Sequence, residues 1–181
     1  MYTESQHAAQ WRKRITVSEI IYREMTLPDI EQVYAIECSC FTQPWSVESL
    51  IGELVRNDAA YYIVAEDDGK IVGYAGIWVL FDEAHMTNIA VIPEYRRRGI
   101  ARSIILNMMQ YGVSKGAVRM TLEVREFNYR AQNLYSSLDF KKAGVRKRYY
   151  SDTGENAFIL WNDDIKSTLD RYQSGGSHKD N

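Results

Sequence analysis

The sequence predicts an α/β fold of the mixed, α+β kind, with one central, mostly antiparallel sheet and helices on both faces. Three observations lead there. Residues 88–109 read as a buried strand (Ile89, Ala90, Val91, Ile92), a turn forced by Pro93, an arginine-glycine loop and a long helix. Around that unit, strand-like runs are joined by turn sequences such as Asp67-Asp68-Gly69-Lys70, which favour hairpins. The element order is β, α, α, β, β, β, α, β, α, β, β, so hairpins and a β-α-β crossover must share a mixed sheet.

Taken in order, residues 19–24 read as a first strand. Thr26, Pro28 and Asp29 then form a helix start, followed by Ile30, Val33, Ile36 and Cys40 near helical spacing. Phe41 to Trp45 breaks that helix, and Ser46 caps a second one carrying Leu50, Ile51 and Leu54. Strands follow over 61–66 and 71–80, the latter with Gly73 and Gly76 marking a bulge or a close backbone approach. A strand over 84–92 leads into the arginine-glycine loop and a helix over 100–115 that stops at Gly116. A short strand at 120–124, a helix over 128–138 and strands at 144–150 and 157–161 complete the domain. The expected organisation is a flexible extension over 1–18, one domain over 19–164 and a disordered tail over 165–181.

Composition excludes several classes. The 181 residues are 45% hydrophobic and 25% charged, enough for a real core in one domain. The net charge of −2 makes the arginine run a local feature and disfavours nucleic-acid binding through a broad basic face. No apolar run approaches the ~18 residues of a membrane span, and the first residues lack signal-peptide order, so a cytoplasmic protein is expected. Cys38 and Cys40 stand alone, which gives neither a disulfide framework nor a zinc site, and no metal is expected. The three histidines are dispersed, with His85 inside an apolar strand.

The loop Arg96-Arg97-Arg98-Gly99-Ile100-Ala101 sits where a strand hands over to a helix. A helix start presents unpartnered N–H groups and the positive end of the helix dipole. Gly99 and the small Ala101 allow close approach to that backbone, so the loop suits a pyrophosphate; a solvated charged face is the competing reading. Glu123 follows Leu122 in a short strand, so the two side chains point to opposite faces; Glu123 is either a functional carboxylate or a solvent-facing sheet residue. Tyr135 lies on the apolar face of its helix, where a core aromatic is the alternative. Of the adjacent Tyr149 and Tyr150, one can pack inward.

The signature Arg/Gln-x-x-Gly-x-Gly/Ala, filled here by Arg96, Gly99 and Ala101, resembles that of the GNAT N-acetyltransferases. The runs TNIAV, LEVRxxN, LYxxLxF and RxYY, together with Pro44-Trp45-Ser46, resemble one subgroup of that family, the bacterial ribosomal-protein-alanine N-acetyltransferases. The similarity spans residues 20–161. It implies the GNAT fold and acetyl-coenzyme A as co-substrate, without a metal. It also implies Glu123 as general base and Tyr135 as general acid, and Ile89, Ala90 and Val91 along the acetyl-pantetheine arm. Arg96, Arg97, Arg98, Gly99, Ile100, Ala101 and Arg102 then wrap the pyrophosphate, Asn128 contacts the cofactor, and Trp45, Tyr149 and Tyr150 lie on the acceptor side. Asp139 departs from the family's usual glycine at a position expected to need a left-handed backbone, which Asp tolerates. The implied acceptor is the N-terminal alanine of a small-subunit ribosomal protein, met by a monomer with no direct contact to nucleic acid or membrane. A lysine or small-amine acetyltransferase and a non-catalytic acyl-coenzyme A-binding regulator remain the alternatives.

Overall fold

The computed structural model describes residues 19–175, so the expected extension over 1–18 lies outside the described residues. Seven strands form one sheet: β1 (Ile21–Glu24), β2 (Ala60–Asp67), β3 (Lys70–Leu80), β4 (Glu83–Val91), β5 (Arg119–Arg125), β6 (Lys141–Tyr150) and β7 (Glu155–Asn162). Their spatial order is β1-β2-β3-β4-β5-β7-β6, and every pairing is antiparallel except β4 with β5. The helices are α1 (Ile30–Cys40), α2 (Val47–Arg56), α3 (Ile100–Ser114), α4 (Tyr129–Ser137) and α5 (Ile165–Gly175).

Local chemistry accounts for the element boundaries. The Asp29 carboxylate accepts hydrogen bonds from the Thr26 backbone N–H and hydroxyl at the entry to α1, by way of a one-turn helix at Leu27–Asp29. Ser46 caps α2 by accepting from Ser49 N–H. Asp139, just after α4, has φ +65°, the left-handed backbone expected there.

Two cores sandwich the sheet. On one face, Ile104, Ile105, Met108 and Met109 of α3 pack with Met120, Leu122 and Val124 of β5 and with Tyr135 of α4. On the other, Val33 and Ile36 of α1 and Leu50 of α2 pack on Tyr62, Val64 and Tyr74. Burial of these apolar side chains is the main force holding the helices to the sheet.

Residues 165–175 correct the expectation of a disordered tail from 165 onward. Ile165, Thr168 and Leu169 are buried at helical spacing, and Ile165 and Leu169 join the α3 core. Thr168 is held by Asn162, and Ser167 by the Asp164 carboxylate. The apolar stripe is too narrow to stand out in a polar segment. The rest of the expected tail, 176–181, lies outside the described residues.

Two irregularities shape the site. A bulge in the β3–β4 ladder pairs Ile77 with Met86 but Gly76 with Asn88, leaving Thr87 as the extra residue. Gly76 is required there, because a Cβ on it would sit 2.2 Å from the Tyr62 ring. Beyond the bulge, β4 and β5 separate. Their parallel pairing covers only Glu83–Arg119, Ala84–Met120 and His85–Thr121, although β4 runs on to Val91 and β5 to Arg125.

Candidate active site

The parting of β4 and β5 opens a slot in the middle of an otherwise continuous sheet. Ile89, Ala90 and Val91 line one edge of it, paired on their other side with β3. Leu122 to Arg125 line the opposite edge, paired on their other side with β7. Backbone groups of both strands that face the slot have no ladder partner across it. An extended ligand can take those positions.

At the slot's upper end β4 passes through a one-turn helix, Pro93–Tyr95, into the arginine loop and α3. Gly99 is the N-cap of α3 with φ +80°, and nothing lies within 4 Å of where its Cβ would stand. No side chain caps the helix, so its first-turn N–H groups stay available. Arg96 donates from Nε to the Val91 carbonyl at 2.9 Å, and Arg98 donates to the Glu94 carbonyl while lying over the Tyr95 ring. Arg102 lies over the Tyr172 ring. Among the described residues none of Arg96, Arg97, Arg98 and Arg102 forms an ion pair with a carboxylate. Four guanidinium charges therefore surround an uncapped helix start, which fits a polyanionic group such as a pyrophosphate.

Glu123 and Leu122 do point to opposite faces. Leu122 is in the α3 core, whereas the Glu123 side chain keeps 25% of its surface exposed on the face carrying α1 and α2. Its Oε1 lies 3.0 Å from Arg146 Nε, a contact that reaches from β5 across β7 to β6. Tyr135 is buried against Phe140, and that burial pushes its phenol well above the ordinary tyrosine range, so it holds its proton at neutral pH. Tyr150 is the inward member of the tyrosine pair. It stacks with the Arg125 guanidinium at 3.9 Å, and burial pushes its phenol up to about 12. Tyr149 remains 48% exposed. Asn128 caps α4 through its side-chain oxygen, which accepts from Ala131 N–H. Its amide NH₂ makes no hydrogen bond among the described residues.

Trp45 lies in the connection between α1 and α2, and its backbone N–H is bound by a residue that sequence reasoning passed over. Glu37 of α1 is only 1% exposed; its Oε2 accepts from Trp45 N–H at 2.7 Å and its Oε1 from Asn88 Nδ2 at 3.3 Å. Burial pushes this carboxyl above its ordinary value. The same connection meets the β6–β7 hairpin. Thr42 hydrogen-bonds Asp152, and Gln43 exchanges hydrogen bonds with Ser151 at 3.1 and 3.2 Å. Arg125 ties down the hairpin through Asp152 at 2.8 Å and Glu155 at 3.3 Å. No helical or strand periodicity signals the Thr42–Asp152 and Gln43–Ser151 contacts in the sequence, because they join loops 108 or more residues apart.

The model of the acetyltransferase (GNAT) family matches residues 30–140, which include the whole strand-loop-helix unit, Glu123 and Tyr135. The chain belongs to the GNAT acetyltransferase family. A Bacillus subtilis relative, named provisionally as a ribosomal protein bS18-alanine N-acetyltransferase, is 45% identical over 139 residues, covering 77% of this chain and 92% of its own. The ribosomal protein bS18-alanine N-acetyltransferase of Escherichia coli K12 is 33% identical over 136 residues, covering 73% and 89%. The crystal structure of an Escherichia coli ribosomal-protein-S18-alanine N-acetyltransferase superposes with a TM-score of 0.73 at 30% identity, over 79% of this chain and 92% of that one. The GNAT model ends at residue 140, short of Arg146, Tyr149 and Tyr150, which lie on β6.

Proposed function

We propose that this GNAT protein transfers the acetyl group of acetyl-coenzyme A to the N-terminal alanine of ribosomal protein bS18. The observation that carries the reaction type is the slot between β4 and β5, with an uncapped, arginine-rich helix start at its upper end and Glu123 on its rim. The acceptor is supported by the two relatives that carry this activity in their names.

Each part of the chain then has a task. Acetyl-coenzyme A supplies an activated thioester. The arginines and first-turn N–H groups of α3 hold its pyrophosphate, and the unpaired edge of Ile89–Val91 receives its extended arm. Asn128 has an amide NH₂ available to the same ligand. An α-amine titrates near 7.7–8.0, so a large share is protonated at neutral pH and cannot attack. The ammonium first releases one proton to solvent, and Glu123 accepts a second, directly or through water, as the nitrogen attacks the thioester. A slot-facing backbone N–H on β4 donates to the thioester oxygen as charge develops on it. Tyr135, a phenol kept neutral by burial, returns a proton to the departing sulfur. Trp45 and the Tyr149–Tyr150 hairpin border the acceptor side. None of these steps calls for a metal, and no metal-ligating cluster occurs among the described residues.

Incubation with acetyl-coenzyme A and two peptides, read by mass spectrometry, tests this assignment. A lysine-free peptide with a free N-terminal alanine should gain one acetyl group, and a peptide with a blocked N-terminus and an internal lysine should gain none. The reverse pattern makes the protein a lysine acetyltransferase, and tight cofactor binding without transfer to either makes it an acyl-coenzyme A-binding regulator.

A further inference from the structure

The bulge at Thr87 has a consequence for the acceptor. Counting on from the His85–Thr121 pair, and allowing for the one extra residue in β4, Asn88 and Glu123 hold corresponding positions along the two strands as they part. Asn88 and Glu123 also share a face of the sheet, the one that carries α1 and α2, since Asn88 is bonded to Glu37 of α1. The amide of Asn88 has one fixed half and one vacant half. Its Nδ2 donates to Glu37, while its Oδ1 is buried without a hydrogen-bond partner. Buried acceptors in folded proteins are nearly always hydrogen-bonded, so Oδ1 is an acceptor open to a ligand's N–H.

We propose that Asn88 is an acceptor-binding residue whose Oδ1 receives an N–H of the incoming α-amine, and that Glu37 is the positioning residue that fixes which end of the amide faces it. This rests on the N-terminal acetyltransferase reading above. Glu37 has no choice of partner polarity. As a carboxylate it only accepts, so the Asn88 NH₂ must turn toward it and the oxygen away. The same carboxylate holds Trp45 N–H, which ties the α1–α2 connection to the position of Asn88. An amine that spends one N–H on Asn88 keeps its other proton for Glu123 across the slot and its lone pair for the thioester.

A polarity swap separates this role from simple bracing. In Glu37→Gln the side-chain oxygen must keep Trp45 N–H, which forces the new NH₂ toward Asn88 and turns the Asn88 oxygen inward. Both hydrogen bonds survive, so a bracing role leaves catalysis unchanged. The proposal instead expects the KM for an alanine-initiated, lysine-free peptide to rise about tenfold or more, with acetyl-coenzyme A affinity and melting temperature held. Glu37→Gln combined with Asn88→Asp offers one carboxylate oxygen to the amide NH₂ introduced on α1 and the other to the incoming amine, and should bring the KM back toward wild type. An unchanged KM in Glu37→Gln, or no recovery in the double variant, overturns the role of Asn88 while leaving the enzyme's assignment intact. A wild-type protein that acetylates no peptide α-amine overturns both.

Discussion

Glu123 of β5 and Arg146 of β6 form an ion pair at 3.0 Å that spans the intervening strand β7. The pair lies at the rim of the slot, with Arg146 55% and Glu123 25% exposed. Exposed pairs of this kind contribute about 0–1 kcal/mol to stability, so its weight is on the geometry of the carboxylate rather than on folding. Arg146→Gln should therefore leave the melting temperature within a few degrees of wild type and lower kcat roughly tenfold through a less constrained Glu123. Steady-state kinetics beside a thermal melt decide the matter. An unaltered kcat would show that Glu123 needs no such restraint.

Gly99 makes a second prediction. Its φ of +80° is open to glycine and costly for a β-branched residue, although the space where a Cβ would stand is empty. Gly99→Val therefore acts through the backbone, twisting the first N–H groups of α3 away from the pyrophosphate. Acetyl-coenzyme A should bind about tenfold more weakly or worse in isothermal titration, with the fold retained. Wild-type affinity would remove this helix start from the cofactor site.

Much of this was legible in the sequence. The strand-loop-helix unit, the hairpins and the Ser46 cap follow from short-range rules, and Gly76 is small for the reason its position suggested, a ring packed against its backbone. The left-handed turn at Asp139 was legible as well. Helix α5 was not, since three buried residues among polar neighbours give a weak periodic signal. At the candidate site, Glu123, Tyr135 and the arginine loop lie in short runs that resemble the family's motifs, although each residue alone also fits an ordinary structural role. Glu37 and Asn88 are harder to read, because what sets them apart is a contact between residues 51 positions apart. Arg146 has the same difficulty, being one cation in a basic strand until the sheet order brings it to Glu123.

The entry to α1 gives a pH prediction away from the site. The Arg23 guanidinium, with help from Thr26, holds the buried Asp29 carboxyl down at about 2. An unfolded aspartate titrates near 3.9, so this depressed group stabilises the fold fully above that value and loses its contribution as pH falls toward about 2. The contribution is about 2 kcal/mol. Comparing urea unfolding of wild type and Asp29→Asn, the stability gap should be widest at neutral pH and close steadily below about pH 4. A gap that stays constant down to acid pH would show that the Arg23–Asp29 pair does not govern this titration.

The measurement closest to the chemistry is single-turnover acetylation of an alanine-initiated peptide by Glu123→Gln, set beside its affinity for acetyl-coenzyme A. Gln is isosteric but cannot take the amine's proton. If Glu123 is the base, the acetylation rate at neutral pH falls about a hundredfold or more while cofactor affinity is unchanged. A rate equal to wild type at every pH would contradict that role and move proton transfer to another group on the slot.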